Sequence, residues 1–121
     1  MAMSWLKTIL LVVMALFYIA AGINHFVNPR FYLKIMPPYL PWHEALNIIS
    51  GAAEVILGVL LLVPATRVWA AWGIIALLIA IFPANVNVYF HQDLIPAPSW
   101  VHLLRLPLQG VLILWAWWYT R

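Results

Sequence analysis

The sequence predicts an all-α protein, an integral membrane antiparallel four-helix bundle with a short interfacial helix in its first connection. Composition is the first reason. Of 121 residues, 67% are hydrophobic and 7% charged, whereas soluble domains carry roughly a quarter charged residues. Six Lys or Arg and three Asp or Glu cannot cover a water-facing surface. The second reason is segmentation. Four apolar stretches of about 20 residues each match a hydrocarbon thickness of about 30 Å at 1.5 Å per residue. In lipid the backbone must be hydrogen-bonded within the segment, so these stretches are helices.

The elements follow in order, as one domain over residues 1–121. The first span covers Trp5 to Asn24. Its apolar run, with Ala20-Ala21-Gly22 behind it, imitates a signal peptide. It is also long enough to span, so it is expected to be retained as a helix. The first connection, VNPRFYLKIMPPYLPWH, carries four prolines among aromatics and is too broken to cross. Pro29 to Met36 reads as the short interfacial helix and the rest as rigid extended chain. The second span, Glu44 to Val63, is split from the third, Val68 to Phe90, by PATR at 64–67. There Pro64 stops one helix and Thr66 is placed to cap the next. The last connection, HQDLIPAPS, holds Pro96 and Pro98 and offers Ser99 as a cap to the fourth span, Val101 to Tyr119. Trp5, Trp115, Trp117, Trp118 and Tyr119 fit an aromatic belt at the membrane surface. Pro83 and Pro107 lie inside spans three and four, where each removes a helical hydrogen bond and favours a kink.

Charge and cysteine usage exclude several functions. The net charge of +3 rests on scattered residues, so no basic stripe exists for nucleic acid. Cysteine is absent, which removes disulfides, thiol relays and a cysteine nucleophile. With four spans both termini share one side, together with Lys7, Arg67 and Arg121, while Arg30, Lys34 and Arg105 belong to the other. Arg105 falls inside a span, so the balance of loop charge places the termini in the cytoplasm.

The polar residues gather in one half of the membrane. The face bearing the first and third connections receives His25 from span one and His43, Glu44 and Asn47 from span two. It also receives Asn85, Asn87 and His91 from span three, and His102, Arg105 and Gln109 from span four. Glu54 lies ten residues beyond Glu44, about 15 Å deep. A carboxylate at that depth is costly and must face the interior. Asn47, Gly51, Glu54 and Gly58 share one helical face. Arg105, with Gln109 one turn deeper, is the expected partner of Glu54. Three readings remain open: a structural salt bridge, a pocket orienting a polar ligand head, and proton coupling. The candidate ligand-binding residues are Glu54, Arg105, Asn85, His25, Asn87, Gln109 and His91. No catalytic set emerges. His25, His91 and His102 could approach Glu54, but no spacing resembles the H-E-x-x-H of a metal helix, and no metal site is expected.

GINHF (22–26), IMPPYLPWH (35–43), ISGAAEVILG (49–58), FPANVNVY (82–89) and LRLPLQ (104–109) together resemble the DoxX-like family of small four-helix bacterial membrane proteins, over nearly the whole chain. The resemblance implies the bacterial inner membrane. Founding relatives are linked to a thiosulfate:quinone oxidoreductase and others to respiratory or oxidative-stress complexes. It also implies recurrent polar positions at His25, Glu54, Asn85 and Arg105. Members active in thiol redox use cysteines, which this chain lacks. The leading expectation is a membrane protein that binds a quinone or lipid, or a non-catalytic subunit of a membrane redox complex or homo-oligomer. A quinone-linked oxidoreductase subunit, a small proton-coupled transporter and a structural assembly factor are the alternatives.

Overall fold

Four long helices, each long and apolar enough to cross a membrane, dominate the computed structural model, which describes residues 3–95 and 97–120. The helices are α1 (Trp5–Val27), α2 (Pro29–Ile35), α3 (His43–Leu62), α4 (Arg67–Phe90) and α5 (Ser99–Trp117). The fold is the predicted all-α bundle, and the short helix α2 lies in the first connection. Pro96 and Arg121, which entered the expectations above, lie outside the described residues.

Local chemistry sets the ends. Ser4 caps α1, its hydroxyl accepting from the Lys7 amide at 3.2 Å. Pro29 opens α2, where a missing N–H costs nothing. The turn between α3 and α4 works differently from the expectation. The Thr66 hydroxyl does not cap α4; it donates backwards to the Leu60 carbonyl at 2.8 Å. Arg67 adds bonds from Nε to Leu61 (2.9 Å) and from its guanidinium to Leu62 (3.3 Å). A helix C-terminus at a membrane edge leaves bare carbonyls with partial negative charge, so both side chains are drawn to that end rather than to the next N-terminus. Ser99 is not a cap either. It is the first residue of α5, with Pro98 in the cap position, and its hydroxyl donates to Gln92 Oε1 at 2.8 Å. Pro83 and Pro107 are accommodated within continuous helices.

The long helices pack in the order α1, α3, α4, α5. The α1–α3 seam is the most extensive, while α1 and α5 form no comparable seam among the described residues. Small residues set the tight seam. Ala15 and Gly22 on α1 meet Gly58 and Gly51 on α3: a Cβ at Gly22 would fall 2.6 Å from the Gly51 carbonyl oxygen, and one at Gly58 would fall 2.9 Å from that of Ala15. The two backbones touch, as helices in lipid do where side chains are absent.

The apolar core occupies the half of the bundle near the termini. It is built from Leu11, Met14, Leu61, Ile74, Leu78 and Ala116, among others. The belt expectation fails at Tyr119, which is 2% exposed. Its hydroxyl donates to the Lys7 carbonyl at 3.0 Å, and Lys7 Nζ sits 5.3 Å from the Trp118 ring. A phenol whose ring and hydroxyl are both satisfied inside has no reason to seek the interface. The contact ties the end of the chain to the start of α1. Trp5, 75% exposed, remains on the surface as the belt requires.

Gly22→Ala is expected to destabilise the protein by about 1–3 kcal/mol through overpacking. A Cβ added at Gly110 would meet nothing within 4 Å, so Gly110→Ala should be neutral or stabilising by up to about 1 kcal/mol. Denaturation of both variants in detergent, followed by circular dichroism, checks the contrast.

Candidate functional site

Beyond the apolar core, in the half bearing the α1–α3 and α4–α5 connections, the bundle holds a cavity of about 490 Å³. All five helices line it, and Tyr18, His25, Glu54, Asn85, Arg105 and Gln109 supply its main polar groups. Phe17, half exposed on α1, and Leu112 on α5 also line it. They flank the side where the two helices form no extensive seam.

Glu54 points inward, 5% exposed. Its partner is not Arg105. Glu54 Oε1 lies 3.4 Å from His25 Nε2, and among the described residues Arg105 has no ion pair. The reason is the glycine seam. Gly22 and Gly51 draw α1 against α3, and His25 stands one turn beyond Gly22 on that seam. A short-range contact across touching backbones forms before a long arginine can reach over from α5.

His25 is held on three sides. Asn47 Nδ2 donates to the His25 carbonyl at 3.0 Å, which fixes the amide so that its Oδ1 faces His25 Nδ1 at 2.7 Å. Nδ1 therefore carries a proton and donates. The ring stacks on Tyr32 with centroids 3.7 Å apart, and the Tyr32 hydroxyl accepts from Asn24 at 2.6 Å. With Nδ1 committed to Asn47, Nε2 is the ring atom that faces Glu54. A proton held between the two gives either an ion pair or a neutral pair of zero net charge, the arrangement that makes an acid tolerable at this depth.

Two polar atoms of the cavity remain open. Among the described residues, Glu54 Oε2 and the Tyr18 hydroxyl are buried without a hydrogen-bond partner. Buried polar groups of this kind are normally satisfied, and both residues line the cavity.

The other wall is an amide relay. Asn85 Nδ2 donates to Gln109 Oε1 at 2.8 Å, and Gln109 Nε2 donates to the Leu78 carbonyl. Leu78 neighbours Ile79, whose carbonyl Pro83 cannot reach with an N–H. Asn87 and His91 do not line the cavity. Asn87 Nδ2 donates to the Ile35 carbonyl at 3.0 Å and fastens the end of α2 to α4. His91, exposed, donates from Nδ1 to the Asn87 carbonyl at 3.1 Å at the end of α4. His43 bonds the Pro37 carbonyl at 3.1 Å and braces the proline-rich connection. His102 is 1% exposed, with neither ring nitrogen partnered among the described residues, and it too is off the cavity wall. Among the described residues, no three His, Cys, Asp or Glu are grouped to hold a metal ion.

Tyr18, Asn47 and Tyr32 were absent from the expected set. Two of them had a signal in the sequence. Tyr18 and His25 are seven apart, as are Asn47 and Glu54, so each pair shares a helical face. Tyr32 had none, because nothing local specifies how α2 folds back onto α1.

A family model described as "Domain of unknown function (DUF8561)" matches residues 14–120, and the chain belongs to this family. No curated protein and no solved structure matches.

Asn47→Leu strips the His25 carbonyl and Nδ1 of their partner and is expected to destabilise by about 1–3 kcal/mol. His91→Ala, at an exposed position, should stay within about 0.5 kcal/mol of the parent. Melting of both variants in the same detergent separates the braced histidine from the peripheral one.

Proposed function

We propose that this member of the DUF8561 family is a non-catalytic membrane protein whose cavity takes the head of a membrane-dissolved amphiphile, a quinone or a lipid. The observation that carries the reading is the pair of buried, unpartnered oxygens, Glu54 Oε2 and the Tyr18 hydroxyl, on the wall of a largely apolar cavity. A ligand head satisfies them, and its tail leaves between α1 and α5, which form no extensive seam among the described residues. Tyr18, Glu54, His25, Arg105, Asn85 and Gln109 form the contact set. Asn87 and His91 support the frame of the site.

The resemblance to DoxX-like proteins supports a setting in the bacterial inner membrane and a place beside a redox complex; the balance of loop charge supports termini in the cytoplasm. The apolar core beneath Glu54 disfavours a transport path through the monomer. A partner subunit would supply any electron chemistry.

Native mass spectrometry on protein extracted gently with its own lipids tests the reading. A co-purifying quinone or lipid is expected, and Glu54→Gln should lose most of it while circular dichroism stays unchanged. A wild-type protein without a bound amphiphile, or a ligand held equally by Glu54→Gln, contradicts the reading.

A further inference from the structure

The cavity holds three charge-bearing side chains, His25, Glu54 and Arg105. His25 and Glu54 face one another at 3.4 Å. Arg105 is left over. It is partly buried, lies on the cavity wall, and makes no hydrogen bond or ion pair among the described residues. It stands six residues beyond Ser99, the start of α5, which is about 9 Å along the span. An uncompensated cation at such a depth is costly in lipid. The chain contains three acidic residues, Glu44, Glu54 and Asp93. Glu44 and Asp93 are exposed at helix ends, and neither lines the cavity.

The open hydrogen-bonding capacity points the same way. Arg105 offers a fork of N–H donors, and the Tyr18 hydroxyl is an unused donor. Against them stand the second oxygen of Glu54 and Asn85 Oδ1, both unpaired among the described residues. Donors predominate, and the strongest is a guanidinium, whose planar fork matches a carboxylate or phosphate in two parallel bonds. At the mouth, α2 brings Arg30 and Lys34 to the same side of the membrane, both exposed.

Resting on the amphiphile-binding reading, we infer that the ligand is acidic: an amphiphile whose head carries a carboxylate or phosphate, which takes Arg105 as its counter-ion, and beside it a hydroxyl that donates to Glu54 Oε2. A neutral head would leave Arg105, partly buried on the cavity wall, without a counter-ion.

The test uses the full chain, delipidated in a neutral detergent and offered equimolar phosphatidylglycerol, oleate, phosphatidylcholine and a short-tailed ubiquinone, with retention read by native mass spectrometry. The wild-type protein is expected to retain phosphatidylglycerol or oleate over phosphatidylcholine and ubiquinone. Which of the two it retains distinguishes a phosphate head from a carboxylate. Arg105→Gln should reduce that preference roughly tenfold or more, and Arg105→Lys should restore part of it. Lys34→Gln, an exposed charge outside the cavity, should change it less than twofold. Arg105 has no protein partner to lose among the described residues, so the melting temperature of Arg105→Gln should not fall below that of the parent. A preference unaltered in Arg105→Gln, or lost equally in Lys34→Gln, overturns the inference. Ubiquinone or phosphatidylcholine retained ahead of both acidic probes overturns it too, while leaving the amphiphile reading intact. Retention of none of the four by the wild type removes both.

Discussion

The polar side of the cavity is arranged around one constraint: a carboxylate placed about 15 Å into a bilayer cannot stand alone. Glu54 meets it through His25, and His25 can serve only because Asn47 and Tyr32 fix its position. That arrangement depends in turn on Gly22 and Gly51, which let α1 and α3 come close enough for an imidazole to span the gap. Backbone contact, histidine placement and charge cancellation form one chain of dependence. A side chain added at the seam disturbs the acid several residues away.

The bundle is built in two halves with different physics. Near the termini, dense apolar packing and the bond from Tyr119 to Lys7 close the molecule. Among the described residues α1 and α5 form no extensive seam, and near the connections the cavity lies among side chains that satisfy one another only in part. Helices in lipid gain nothing from burying leucine against leucine, so packing quality and hydrogen bonds decide where they adhere. Here α1 and α3 adhere into the connection half at Gly22 and Gly51, and room is left beside that seam.

Much of the fold was legible, because lipid narrows the choices. Four apolar segments of spanning length leave little besides a helical bundle, and a proline-rich connection between spans cannot cross. The inward placement of Glu54 and the gathering of polar residues in one half followed from the same logic. The partner of Glu54 did not. Helical spacing says which face a residue occupies, not which neighbouring helix that face meets. The better clue was the matched seven-residue spacing of Ala15 and Gly22 against Gly51 and Gly58, which marks the closest seam and puts His25 nearest. Asn85 and Asn87 show the limit again. Two residues apart on one helix, they point to different neighbours, one to Gln109 and the other to the end of α2. Thr66 and Ser99 looked like caps by residue type, but the bare carbonyls of α3 and the amide of Gln92 offered them nearer partners.

The size of the cavity carries a consequence of its own. About 490 Å³ is the room of a compact small molecule, far less than a two-chain phospholipid occupies. Most of any long aliphatic portion would remain in the surrounding membrane, where one methylene resembles the next. Discrimination would then reside in head chemistry, and saturation or carbon number would scarcely register. The same recess could serve in cells whose acyl composition drifts with temperature or growth.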